Sequence, residues 1–329
     1  LLQILSVLFI FFVSCSSGEK NKIGFLFPHL SNERYPKDSA LFTEEIKRLG
    51  GEVFVKNANL SEKLQEQQVQ ELIDKGVDIL VINAVNKNTA ADMVRKAHEN
   101  HIKVISYERM IANSNPEFFI SFDNVKVGEI MASFAIKNKP KGKYFLLEGD
   151  KADQNALWLK EGQMKVLDPY IKSGEIEIVY NTFIESWNKD NSHFEFDRYL
   201  RLSTDGVPDV VLTGGDAMAA GVIAALKENG VGVDQFPYIT GQNAESFGCK
   251  NVVKGLQNMT IYKPIKKVAT EAADIAWKMI HNEKVDYSKT TFNGAIEVPT
   301  LLIEPIGVDK QNMSIVINDG YLKESQIYE

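Results

Sequence analysis

The sequence predicts an α/β protein made of two similar doubly wound lobes, each a parallel sheet covered by helices on both faces. Three observations carry this prediction. From Lys22 onward, short and near-continuous apolar runs alternate with amphipathic stretches, the pattern of strands buried on both faces and joined by crossover helices. The series starts twice: KYFLLEGD at 143 echoes KIGFLFPH at 22, and GVPDVVLTGGD at 206 echoes GVDILVINA at 76. The length of 329 residues also suits two cores better than one.

The elements follow in order. KIGFLFP reads as the first strand, and Arg34 to Leu49 as a helix stopped by Gly50 and Gly51. Strand EVFVKNA comes next, then a helix opened by Asn59 with Glu62 three residues on, a capping pair, and carrying Val69, Leu72 and Ile73 as its apolar stripe. Strand VDILVINA, a helix from Thr89 to Asn100 and strand IKVIS complete the first series. The second runs through KYFLLEGD, EIEIVYNTF, a helix to about Leu202, GVPDVVLTGGD, a helix from Ala217 to Asn229, PYITGQ and MTIYKP. A last helix, Lys266 to Ile280, puts Val268, Ala272, Ile275, Ala276 and Met279 on one face. PTLLIEPIGV then reads as one closing strand, and these final pieces complete the first two lobes rather than forming a third.

Composition narrows the function. With 44% hydrophobic and 25% charged residues the chain is ordinary globular protein. A formal charge of -7 and the lack of a long basic block argue against nucleic acid as a partner. The opening LLQILSVLFIFFVSCSSGEKNK holds about thirteen mostly apolar residues, then Ser14, Cys15 and a polar run. That is short for a membrane span, which needs ~20 residues. It reads as an export leader with Cys15 as a lipidation site, or alternatively as an uncleaved signal anchor, and either way it places the bulk of the chain outside the cytoplasmic membrane. The only other cysteine, Cys249, is expected to pack as a small apolar side chain.

Ligands of open parallel sheets gather at the carboxyl ends of the strands. Those ends carry Arg34, Tyr35 and Lys37; Glu108 and Arg109; Asp153 and Asn155; Trp187; Asp216; Gln242 and Asn243; and Lys263. Carboxylates and amides accept from hydroxyls, Arg and Lys donate to them, and aromatic rings cover C–H faces, so this set suits a sugar. Catalytic and cofactor motifs are lacking: there is no G-x-G-x-x-G after the first strand, no P-loop and no G-x-S-x-G elbow. The HENH pair His98 and His101 lacks a further ligand, and DKADQN lacks the Gly and Glu of a calcium loop. No enzyme activity, cofactor or metal is expected.

Long ordered stretches, among them ERYPKD, GGEVFVKNAN, HIKVISYERMI, FFISFDNVKVGE, GQMKVLDPYI, TGQNAESFG, MTIYKPI and VPTLLIEPIGV, resemble the type I periplasmic binding proteins of ABC transporters, the D-xylose-binding group in particular. The resemblance covers essentially everything after the leader. It implies two Rossmann-like lobes joined by a three-segment hinge and closing over a pyranose, with crossings near Asn124, Pro264 and Asn293. Residues 1–21 would then be leader and linker, 22–124 plus 264–292 the N-terminal lobe, and 125–263 plus 293–329 the C-terminal lobe.

By the same resemblance Arg34, Lys37 and Arg109 are hydroxyl donors, Asp153, Asn155 and Lys263 are polar contacts, and Trp187 stacks on the sugar. Tyr35 stands where the family has a second tryptophan. Three positions depart from the family: Glu108 and Asn243 replace aspartates, and Gly215 replaces an asparagine, leaving a gap that Asp216, water or a sugar substituent could fill. The implied role is a lipid-anchored receptor that captures an aldopentose, D-xylose first, for an ABC permease. The alternative is a sensor that signals through the extracellular domain of a membrane histidine kinase. A repressor with the same core is contradicted by the leader and by the lack of a DNA-binding helix pair before Lys22.

Overall fold

The computed structural model describes residues 20–329. Strands β1 (Lys22–Phe27), β2 (Glu52–Asn57), β3 (Ile79–Ile82), β4 (Lys103–Tyr107) and β5 (Phe118–Phe122) alternate with helices α1 (Arg34–Leu49), α2 (Glu62–Asp74) and α3 (Ala90–Glu99) before α4 (Asn124–Asn138) leaves the first lobe. The second series is β6 (Gly142–Glu148), α5 (Gln154–Lys172), β7 (Ile176–Phe183), α6 (Lys189–Leu202), β8 (Val210–Thr213), α7 (Asp216–Glu228), β9 (Tyr238–Ile239), α8 (Ser246–Val253) and β10 (Met259–Tyr262). Then come α9 (Ile265–Ile280), β11 (Lys289–Phe292), β12 (Glu297–Ile303), β13 (Ile306–Asp309), α10 (Ser314–Asn318) and α11 (Ser325–Tyr328).

The repeat seen in the sequence is present in the topology. The first sheet runs β2-β1-β3-β4-β5-β12-β11 and the second β7-β6-β8-β9, so the strand order 2-1-3-4 recurs with β6 in the place of β1. The residues after β1 and β6 stand where the strand order reverses, the natural ligand crevice of such sheets. Within β1, Ile23, Phe25 and Phe27 pack with Phe42 and Ile46 of α1 and Val268 and Ala272 of α9, while Leu26 packs with Val69 and Leu72 of α2 and Val94 of α3. Alternation along one strand thus assigns each face its helices. The second lobe repeats this: Tyr144 and Leu146 meet α4 and α5, whereas Phe145 and Leu147 meet α6 and α7.

Helix α1 spans the expected residues and ends at Gly50, which adopts φ 99° and donates its N–H back to the last turn. The α2 cap differs from expectation: Asn59 and Leu60 turn through positive φ, and Ser61 supplies the capping oxygen, 3.2 Å from the Leu64 N–H. The closing strand is two strands. β12 lies parallel to β5 in the first sheet, from Thr300 opposite Phe119 to Ile303 opposite Phe122, whereas β13 lies antiparallel to β10. Glu304 and Pro305 separate them, and a proline cannot donate to a sheet ladder.

The third passage between lobes therefore falls at 304–305 rather than at Asn293, and residues 293–303 belong to the first lobe. Asn293 instead closes the hairpin between β11 and β12. Its side-chain oxygen accepts from the N–H groups of Ala295 and Ile296, and its amide donates to Ile111 O and Ser114 O. The chain leaves the first sheet after β5, where Asn124 opens α4, and leaves the second series after β10, where Pro264 precedes α9.

Candidate ligand-binding cleft

Between the carboxyl ends of the two sheets lies a cavity of about 260 Å³, walled by both lobes. The first lobe contributes the turn after β1, with His29, Ser31, Asn32, Arg34 and Tyr35, and the end of β4, with Glu108 and Arg109. Arg34 opens α1 and is almost fully buried. Its Nε and one terminal nitrogen donate to Asp38 Oδ2 at 3.1 and 2.9 Å, one helical turn on, and its other terminal nitrogen lies 3.5 Å from Glu108 Oε1. Burial works against the Arg34 charge, but the Asp38 and Glu108 carboxylates outweigh it and raise the pKa.

Glu108 takes φ 64°, a left-handed backbone that costs a non-glycine residue about 1–2 kcal/mol. The turn is tied by the Glu108 N–H to Ile120 O and by the Ser121 hydroxyl to Glu108 O. One oxygen of the Glu108 carboxylate, Oε2, has no hydrogen-bond partner in its buried position. Arg109 is anchored through its terminal nitrogen to Ala84 O at 3.2 Å, and its Nε lies 3.0 Å from Asp153 Oδ2 of the opposite lobe.

The second lobe supplies Asp153 and Asn155 at the start of α5, Trp187 after β7, Gly215 and Asp216 after β8, Gln242 and Asn243 after β9, and Lys263 after β10. Burial raises the Asp153 pKa, and Arg109 opposes the shift. Asn155 is a bridge: its amide donates to Glu108 O and Oε1, and its oxygen accepts from Asn124 at 2.9 Å. Burial lowers the Lys263 ammonium to about 8, partly offset by Glu108, and its Nζ lies 3.4 Å from Asn124 Oδ1. His29, beside Tyr35, is lowered to about 4 by burial and by Arg109, and so stands as a neutral imidazole.

Trp187 is held in a narrow seat. It and Ser186 both have left-handed backbones, at φ 54° and 57°. The indole covers Gly149 and Gly214, where an added Cβ would lie 2.1 Å and 2.9 Å from its ring. Its Nε1 is buried without a partner. Strained residues of this kind gather at ligand clamps, and Asn243 and Ala244 add a second such pair on the same wall. The cavity thus presents acceptors, donors and an aromatic face from two lobes joined by three chain passages.

Residues 23–284 match the periplasmic binding protein domain family. The chain belongs to the periplasmic binding protein family. It is 38% identical to the D-xylose-binding periplasmic protein of Haemophilus influenzae over 96% of this chain and 95% of that one. It is also 38% identical to the protein of the same name from Escherichia coli, over 93% and 92%. Among solved structures, an ABC transporter solute-binding protein from Clostridium phytofermentans with bound β-D-glucose superimposes with a TM-score of 0.86 at 25% identity, covering 93% of this chain and all of that one.

Within this periplasmic binding protein the cavity brings together Arg34, Tyr35, Glu108, Arg109, Asp153, Asn155, Trp187, Asp216, Asn243 and Lys263. Lys37 is the exception. Its ammonium donates to Tyr321 O at 2.8 Å and lies 4.0 Å above the Tyr321 ring, outside the cavity. Asp216 borders the cavity, but both carboxylate oxygens are engaged within the second lobe, by Gln257, by Thr260 and by the Glu245 N–H. It therefore cannot fill the space at Gly215, where an added Cβ would meet only Gln242, at 4.0 Å.

Sequence reasoning did not single out His29, Ser31 or Asn32, which line the turn after β1, or Asp38 behind Arg34. The spacing of Arg34 and Asp38, one helical turn apart, was the available signal for the last. Cys249 is buried among apolar side chains, as expected, and its thiol pKa is pushed up by burial. His98 faces Glu117 at 3.1 Å, and among the described residues no cluster could hold a metal ion. Among those residues no helix is long and apolar enough to cross a membrane, and Cys15 lies outside them.

Proposed function

We propose that the cavity binds a monosaccharide, D-xylose first, and that the closed, loaded protein delivers it to an ABC importer from the outer face of the cytoplasmic membrane, held there by a lipid on Cys15. One observation supports the ligand class above the others: an indole seated against two glycines, facing a cavity whose other walls hold paired carboxylates and guanidinium groups. A sugar has both an apolar C–H face and a ring of hydroxyls that donate and accept at once, and this wall offers partners for each. The names of the two 38%-identical relatives support D-xylose as the first sugar to try.

Capture rather than turnover fits the same groups. Arg34, Glu108, Arg109 and Asp153 are already joined to one another in pairs, which positions them to bind hydroxyls and leaves no isolated acid and base around one bond. Calorimetric titration against D-xylose, L-arabinose, D-ribose, D-glucose and D-galactose tests the reading. D-xylose is expected to bind with one site per chain and to be recovered unchanged. Failure of every aldopentose to bind would overturn the ligand, and a sugar product above a no-protein control would overturn pure binding.

A further inference from the structure

Glu33 stands at the edge of the cleft but does not line the cavity, and its carboxylate reaches the other lobe. Oε2 accepts from the Ser246 N–H at 2.8 Å and Oε1 from the Ser246 hydroxyl at 2.5 Å. Ser246 is the first residue of α8, whose own cap position, Glu245, makes no side-chain cap bond. A helix leaves its first N–H groups without internal partners, and an acceptor there is favoured by the helix dipole as well. Glu33 itself precedes α1 and makes no cap bond to its own helix. The acceptor that α8 lacks in its own lobe is therefore supplied from the opposite one.

A second tie runs beside the first. Lys37, one turn along α1, donates to Tyr321 O, and the Tyr321 hydroxyl donates to Asn243 O at 3.2 Å. Asn243 and Ala244, at φ 92° and 48°, form the strained turn that leads into α8. The carboxyl-terminal segment carrying Tyr321 follows β13, which is paired with β10, and its last helix, α11, packs on α8. Both ties join the start of α1 to the start of α8, and neither Glu33 nor Lys37 nor Ser246 lines the cavity.

We propose that Glu33, with Ser246 as its partner, is a latch that sets affinity by holding the lobes shut rather than by touching the ligand. The bonds exist only while the two helix starts are together, so the latch favours the closed state by a fixed amount whatever sugar is bound. Apparent affinity scales with the fraction of protein in the binding-competent state. Loss of the latch therefore weakens every ligand by one common factor and leaves their rank order unchanged. A residue that touches the sugar changes the rank order instead.

The test uses Glu33→Ala, Ser246→Ala, the double variant and Glu33→Gln, each titrated with D-xylose, D-ribose and D-glucose, with ligand-free scattering radii measured in parallel. Glu33→Ala is expected to weaken all sugars that bind by a common factor of about ten and to enlarge the ligand-free radius. Glu33→Gln keeps one carbonyl acceptor and falls between. In the double variant the loss is expected to be no greater than in Glu33→Ala alone, because the two residues act through one contact.

Unequal losses between sugars, or losses in the double variant that multiply, overturn the latch, as does an unchanged ligand-free radius. Affinity is the only arm that rests on the sugar-binding reading. If no sugar binds the wild-type protein, that reading fails by itself, and the scattering comparison still decides the latch.

Discussion

Trp187 occupies a backbone conformation that only a demanding role sustains, and its neighbours are cut back to glycine to admit it. Truncation to alanine removes the aromatic face and uncovers Gly149 and Gly214 at the border of the second lobe's core, on which the indole also packs. Trp187→Ala is expected to weaken D-xylose at least tenfold, about 1.4 kcal/mol, and to lower the melting temperature as well; affinity within twofold of wild type would show that the indole does not stack on the ligand. Asp38 acts one step behind the cavity. Asp38→Asn removes one of the two carboxylates paired with Arg34 and lets the guanidinium swing, so affinity is expected to fall by about 1.5–3 kcal/mol, the scale of a charged hydrogen bond. Titration with affinity unchanged would refute that coupling.

At this scale the sequence was legible where chemistry alone decides. Charged and aromatic residues at strand ends pointed to most of the cavity wall. It was not legible where rotation decides: Lys37 and Asp38 are adjacent in sequence yet about 100° apart around α1, so one turns to Tyr321 and the other to Arg34. Asp216 reaches the cavity wall, but the side chains that engage its carboxylate lie some forty positions on, at Gln257 and Thr260, beyond the range of any local pattern.

Helices α4 and α5 cross at two glycines. An added Cβ on Gly128 would lie 1.9 Å from Leu159 O, and one on Gly162 would lie 1.9 Å from Val125 O. Neither obstacle is a flexible side-chain end, so the helices must separate. Gly128→Ala is expected to destabilise the protein by about 3 kcal/mol, the upper end of overpacking, as read from urea unfolding, while D-xylose affinity under native conditions stays near wild type. A loss under 1 kcal/mol would mean that the crossing is more pliant than it looks. Element-level reading from sequence succeeded for α1, α3 and α9, whose ends and stripes are clear. It passed over α4 and α5 as elements, whose glycines at the crossing form their contact surface. It also joined β12 to β13, since both are apolar and only Pro305 marks the change of sheet.

For the molecule as a whole, two sheets with the same strand order were legible as a repeat, while the third passage between lobes was not, because it depends on which sheet a strand joins. The burial that makes the fold also fixes its response to pH. Glu148 is fully buried, and burial raises its carboxyl to about 8; burial also raises Glu245 to about 8, with Asp216 and Glu33 adding to it, and Asp216 to about 7. Each keeps its proton in the folded protein over a range where the unfolded chain has already lost it. Such a group contributes stability that is full below the ordinary carboxyl range, near pH 4, and is lost as pH rises through the raised value. Lys263, lowered to about 8 by burial, acts in the opposite sense only above that value, where the unfolded chain still holds the proton and stability recovers toward pH 10. Unfolding free energy from urea titrations is therefore expected to decline between pH 5 and 8, less steeply below pH 6.5, where His29, lowered to about 4, acts in the opposite sense, and Glu148→Gln, which keeps the shape and removes the proton, is expected to flatten the decline. Stability that rises steadily across this interval, or a Glu148→Gln slope equal to that of wild type, would mean that Glu148 is ionised in the folded protein.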